Sequence, residues 1–177
     1  APEDWMPLRD DGWYAENSVT LKLKAEVKAL DPRGKHVTLG DGSTLAFDKL
    51  LLATGAEPVR LDLPGADQPH VFTLRSFADS RAIIARTKTA KRAVIIGASF
   101  IGLEVAASLR ARDLEVHVVA PEKRPLERVF GPELGDFVRA LHEEHGVHFH
   151  LGHGVTAIGT GDATLKSGGS EAANCGR

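Results

Sequence analysis

Lys91 to Gly102 reads KRAVIIGASFIG, and LEVAASLRAR follows from Leu103 to Arg112. The β-branched run Val94, Ile95, Ile96 has the composition of a strand; it meets Gly97, and a helical pattern begins at once with a second glycine at position 102. The expectation is a strand, a tight turn and a helix. Gly97 permits the sharp turn, and Gly102 lets the helix lie close against the strand it has just left. The unsatisfied amides of the helix's first turn then converge on one spot, a setting that suits a pyrophosphate. Ser99 stands where a G-x-G-x-x-G turn has its middle glycine, so the backbone there approaches a phosphate less freely, while the hydroxyl can donate a hydrogen bond instead. Alone this spacing is a weak signal, and the rest of the chain decides its meaning.

The 177 residues, 42% hydrophobic and 26% charged, suffice for a core and fit one domain or two small ones. A formal net charge of -2 without a dense basic block offers no footprint for nucleic acid or a membrane surface. No apolar run approaches bilayer-spanning length, and APEDWMPLRD lacks the basic and apolar regions of a secretory signal. Cys175 is the single cysteine, so this stretch carries neither a disulfide framework nor a C-x-x-C pair, and a reducing, cytoplasmic setting is the expectation.

Trp5, Met6, Trp13 and Tyr14 near the start are expected to be packing residues, and Asp11 to Asn17 a helical turn or two. Val19 to Leu23, VTLKL, alternates as a strand does. EVKALD, a Pro32 to Gly34 turn, HVTLGDG and TLAF then read as a three-stranded antiparallel meander. Lys49 to Ala53, KLLLA, has the unbroken apolar character of a strand buried in a parallel sheet, ended by Thr54 and Gly55. Pro58, Pro64, Gly65 and Pro69 mark a linker or domain crossing. Beyond it the pattern predicts a helix over Asp79 to Thr87, a buried strand EVHVVA stopped by Pro121, and a helix from Pro132 to His145 capped by Gly146. Strands VHFHL, VTAI and ATLK come last.

The late strands repeat the early ones. Val19, Leu23, Val27, Ala29 and Leu30 fall on Val147, Leu151, Val155, Ala157 and Ile158 at an offset of about 128 residues, and Leu39 and Gly42 fall on Leu165 and Gly168 at about 126. In the second copy the glycine turn precedes its meander, so the matching turn of the first copy is expected before Ala1. A counterpart of KLLLATG is expected after Arg177, which makes the chain an internal piece of a two-copy protein. The division expected is residues 1–58 as the later part of a first domain, 59–166 as the second domain without its last strand, and 167–177 as a tail.

Three stretches together, FDKLLLATGAEP with LPG after it, VIIGASFIGLEVAASLR and EVHVVAPEKRPLERV, resemble the FAD-dependent pyridine nucleotide-disulfide oxidoreductase superfamily. The resemblance is closest to its ferredoxin and rubredoxin reductase branch, which includes apoptosis-inducing-factor-like proteins. It implies an α/β fold: a Rossmann-like parallel sheet with a three-stranded antiparallel meander for NAD(P)H, plus an incomplete second copy from an FAD domain. It also implies that Gly97, Ser99, Phe100, Ile101 and Gly102 contact NAD(P)H, that Phe100 and Glu104 lie near the nicotinamide, and that Thr54 and Gly55 pack against FAD. Each residue also has an ordinary reading: Gly55 as a strand end, Phe100 as core, Glu104 as a carboxylate favoured near a helix N-terminus.

The family's acid at the end of the second strand aligns with Ala120, a departure that bears on cofactor choice. Glu122 could take its place on the ribose hydroxyls and favour NADH; Lys123 and Arg124 could instead grip a 2'-phosphate. The balance leans to NADH. His142, His145, His148, His150 and His153 are read as a solvated face rather than a zinc site. The missing C-x-x-C directs the resemblance to the branch that passes electrons from flavin to an iron-sulfur acceptor such as a ferredoxin, rubredoxin or Rieske protein. Alternatives are a non-enzymatic nucleotide-binding redox sensor and a single-domain dehydrogenase.

Overall fold

The computed structural model describes residues 6–167 and 172–175, and the chain divides into two compact units, Ala1–Gly55 and Ala56–Arg177. The first unit holds a short helix α1 (Asp11–Glu16) and an antiparallel meander β1 (Val27–Asp31), β2 (His36–Leu39), β3 (Thr44–Ala46) in the order β1-β2-β3. Asp10 caps α1 by accepting the Trp13 amide. Asp31 accepts the Arg33 and Gly34 amides, which forms the turn between β1 and β2 and lowers the Asp31 pKa. Among the described residues of this unit, Val37 and Leu39 are the buried hydrophobics.

The second unit is α/β. After α2 (Phe77–Thr87), three strands β4 (Arg92–Ile96), β5 (Glu115–Ala120) and β6 (Val147–Leu151) form a parallel sheet in the order β4-β5-β6. The crossovers are α3 (Phe100–Arg110) and α4 (Glu127–Glu144). One face of the sheet, with Val116, Val118, Ala120 and Val147, packs on Ala106 and Leu109 of α3. On the other face Val119 and Val94 meet Leu165 and Val155. Those last two belong to a second antiparallel meander, β7 (His153–Ile158), β8 (Ala163–Ser167) and β9 (Ala172–Cys175). Ser76 and Asp79 form a reciprocal capping box at the start of α2. Arg110 at the end of α3 donates to the carbonyls of Leu114 and His145, tying both crossovers together at their exits. Among the described residues no helix is long and apolar enough to cross a membrane.

The repeat has a structural counterpart. Val27 pairs with Leu39 and Val155 with Leu165, and both meanders carry the same register shift, between Val27 and Ala29 and between Val155 and Ala157. A bulge kept at the matching place in both is a shared design rather than an accident of composition.

Several expectations are corrected. Val19 to Leu23 is not a strand, and Leu23 is 77% exposed. KLLLA is not a strand either, and Leu51 and Leu52 are 86% and 66% exposed. Both have strand composition but no paired neighbour among the described residues, and a strand exists only through its ladder. Ala172–Cys175 lies in β9, inside the segment read as a tail. The helix expected from Pro132 is present, and a separate turn, 127–130, precedes it across a break at Gly131 (φ 79, ψ -176). Trp13 and Tyr14 pack edge to face, but Met6 is 56% exposed; Trp5 lies outside the described residues.

Candidate functional site

β4 runs into the turn with its end held to β5, where the Gly97 amide donates to the Val119 carbonyl at 2.8 Å. Gly97 has φ +114, a conformation that side chains rarely adopt, and the space where its Cβ would stand is open. A Cβ on Gly102 would lie 2.1 Å from the Gly97 carbonyl oxygen, so the helix can begin this close to the strand only with glycine there. Ser99 is the N-cap of α3 with extended backbone, and its hydroxyl makes no capping bond. The first-turn amides therefore keep their hydrogen-bonding capacity beside an open cradle, an arrangement that fits a pyrophosphate.

Gly97, Ser99, Phe100, Ile101 and Gly102 line one groove of about 1320 Å³ that continues along β4. Phe100 and Ile101 are 47% and 61% exposed. Glu104 is not part of this groove. It is exposed and lines a smaller pocket of about 200 Å³ between α2 and α3, with Ser80 and Arg112.

The segment after β5 holds the other candidates, none of which lines the groove. Glu122 contacts Arg128, with Oε1 3.3 Å from Nη2. Arg124 is clasped between Asp136, 2.7 Å from its Nε, and Glu127, 3.4 Å from its Nη1; the Asp136 hydrogen bond raises the guanidinium pKa further. Lys123 is exposed. This segment folds back on the glycine turn, the Leu126 amide donating to the Ala98 carbonyl at 3.0 Å. It also brings Phe130 edge-on to Phe100, with ring centroids 5.7 Å apart. Sequence reading missed Phe130 by starting the helix at Pro132; the Gly131-Pro132 pair was the signal that the residues before it belong to a separate turn. Thr54 and Gly55, in the first unit, are exposed on a segment without regular structure, Gly55 with φ +74.

The histidine face is more organised than a solvated one. His117, not singled out from sequence, joins it from β5, its side chain 14% exposed. His117 Nδ1 lies 3.0 Å from His150 Nε2, and its Nε2 lies 3.0 Å from Glu115. Glu115 in turn lies 2.9 Å from Arg92 Nε, an ion-pair approach without the alignment of a good hydrogen bond. His148 stacks on His117 at 5.0 Å. Among the described residues no group of three or more His, Cys, Asp or Glu is arranged to hold a metal ion.

Residues 9–175 match the family described as pyridine nucleotide-disulphide oxidoreductase. The chain belongs to that family. It is 35% identical to rhodocoxin reductase of Rhodococcus erythropolis over 89% of its own length and 37% of the relative's. It is also 35% identical to the benzene 1,2-dioxygenase system ferredoxin–NAD(+) reductase subunit of Pseudomonas putida, over 90% and 38%. Among solved structures, the ferredoxin reductase for the CYP199A2 system of Rhodopseudomonas palustris superposes with a TM-score of 0.85 at 31% identity, over 93% of this chain and 42% of that one. The chain thus spans about two fifths of the length of the relatives it matches.

Proposed function

We propose that Ala56–Arg177 is the NAD(P)H-binding part of an FAD-dependent reductase that passes electrons to an iron-sulfur protein of ferredoxin, rubredoxin or Rieske type. The observation that carries this reading is the Gly97–Gly102 cradle: a positive-φ glycine with open space beside it, and a second glycine whose Cβ would strike the first one's carbonyl. That geometry, at the carboxyl end of a parallel strand leading into a helix, suits a dinucleotide pyrophosphate. Family membership and relatives named as reductases support the rest.

When bound, the nicotinamide and flavin supply the hydride and electron chemistry. The chain's own part is positioning. The turn amides and Ser99 hold the pyrophosphate, Phe100 and Ile101 border the groove beyond it, and Thr54 and Gly55 are assigned to the flavin side. The clasp on Arg124 supports NADH over NADPH, since a guanidinium held at 2.7 Å by Asp136 would have to leave that carboxylate to reach a 2'-phosphate. Glu122, two residues past the end of β5, is then the carboxylate for the ribose hydroxyls.

Titration of the chain with NADH and with NADPH, followed by nucleotide fluorescence, tests the reading. Saturable binding with NADH the tighter ligand is the expected result. Absence of binding to either at millimolar nucleotide would remove the site, and tighter NADPH binding would reassign the specificity to Lys123 and Arg124.

A further inference from the structure

Among the described residues, Phe130 is the aromatic side chain whose ring meets that of Phe100, and it does not line the groove. We propose that it is a positioning residue: its ring edge fixes the Phe100 ring and so orders the nicotinamide half of a bound dinucleotide, an inference that rests on the function proposed above.

The backbone around Phe130 is tightly determined. Leu126 sits in the left-handed region (φ 54) while donating to Ala98, and the Val129 and Phe130 amides both return to the Leu126 carbonyl, at 2.9 and 3.0 Å. This makes a single helical turn. Gly131 (φ 79) then breaks the helix, and Pro132 starts the next stretch with its φ already set. The turn is anchored from the far side as well. Arg124 bridges Asp136 and Glu127, and Gly135 approaches so closely that a Cβ there would lie 2.8 Å from the Pro125 carbonyl. Phe130 is therefore presented to Phe100 by a braced loop, at 5.7 Å and 83°, the edge-to-face geometry that aromatic pairs prefer.

The direction of the effect follows from topology. The ribose-binding carboxylate, Glu122, follows β5, so the adenosine half lies on the β5 side of the pyrophosphate turn. The other half leaves the turn on the opposite side, across the carboxyl end of β4, where Phe100 opens α3. A ring free to change rotamer would meet that half in several orientations; a ring held on edge meets it in one.

The test compares NADH with ADP-ribose, which keeps the adenosine and pyrophosphate but lacks nicotinamide, by calorimetric titration of the wild-type chain and of Phe130→Ala, Phe130→Leu and Phe130→Tyr. The expectation is a loss of roughly two- to tenfold in NADH affinity for the Ala and Leu variants, the size of one edge-to-face contact, with ADP-ribose affinity unchanged and Tyr near wild type. Phe100→Ala should show the same loss, and the double variant no more than either alone. Equal weakening of both ligands, no change in either, or additive losses in the double variant would each overturn the positioning role while leaving the nucleotide site in place. If wild type binds neither ligand, the positioning role falls together with the proposed function. Should Phe130→Ala fail to fold, Phe130→Leu, which keeps the apolar bulk and loses the ring edge, gives the same comparison.

Discussion

Gly102 shows how one atom decides a site. An alanine there would place its Cβ 2.1 Å from the Gly97 carbonyl oxygen, and because that neighbour is backbone, nothing nearby can swing aside. Gly102→Ala is expected to cost about 1–3 kcal/mol, as overpacking does, and to abolish nucleotide binding by pushing the helix off the turn. Gly154 supplies the control: its Cβ would meet nothing within 4 Å, and it carries no positive φ. Gly154→Ala should be neutral or stabilise by a few tenths of a kcal/mol, roughly as relief of unfolded-chain entropy predicts. Denaturant midpoints for the two variants check both, and a well-tolerated Gly102→Ala would mean that the strand and helix do not need this close approach. The glycine pair was legible because φ and close approach restrict residue type directly. The separation of Glu104 from Phe100 was not, since it depends on where α2 lies, and nothing in the local sequence of α3 encodes that.

At the scale of elements, VTLKL and VHFHL make the limit of sequence reading concrete. They occupy matching places in the repeat, yet only VHFHL is a strand, because β6 has β5 to pair with. Composition reports the capacity to form a strand; the partner decides whether it does. β9 was in fact within reach: β3 follows Gly42, so the equivalence of Gly42 with Gly168 implied a third strand in the second meander, which composition alone had hidden as a polar tail. The histidine face likewise needed the register. His117 stands opposite His148, and Val119 opposite His150, so two strands bring together residues that are far apart in the chain. A pH dependence follows. Burial lowers the His150 pKa first, with the neighbouring His117, His153 and His148 adding to it; burial and His145 lower that of His142. A group with a folded pKa below its unfolded value near 6.5 leaves the unfolded chain binding more protons, so stability falls as pH drops below about 6.5. Glu115 adds a lower window. The hydrogen bond from His117 first, and the charge of the nearby Arg92 guanidinium, lower its pKa, so its contribution is present above about 4.5 and lost as pH falls further. Urea midpoints between pH 7.5 and 5.5 should decline, and the decline should be shallower in His150→Gln; an identical slope in the variant would detach the effect from this cluster. Ser76→Ala tests a simpler element. Losing half of the capping box should cost about 1 kcal/mol by the same measurement, and no change would mean that Asp79 alone holds the start of α2.

For the molecule as a whole, the two units have very different cores. The parallel sheet of the second unit is covered on one face by α3 and reached on the other by Leu165 and Val155. Among its described residues the first unit buries the hydrophobic side chains of Val37 and Leu39, while Val27, Leu30 and Leu45 remain 55%, 38% and 36% exposed. At about 25 cal/mol for each Å² of apolar surface buried, a three-stranded meander with two buried side chains gains little against the entropy of ordering its backbone. Around the boundary of the two units, residues 50–62 have no regular structure, and Leu51 and Val59 are 86% and 88% exposed. Unfolding should therefore proceed in two steps rather than one. In native-state hydrogen exchange, amides of β1 and β2 should exchange through a low-energy opening that leaves β4, β5 and β6 protected. Limited trypsin digestion should cut at exposed basic residues of the first unit and at Lys49 or Arg60, leaving a resistant core that starts near Leu61 and retains the Gly97–Gly102 turn. Because the proposed nucleotide cradle lies wholly within that core, NADH should slow further trimming of the core and have no effect on the first cuts. Coincident loss of protection in β1 and β5, or a resistant fragment that keeps β1 and β2 while β4 and β5 are cleaved, would show that the first unit is stabilised by something its two buried side chains do not explain.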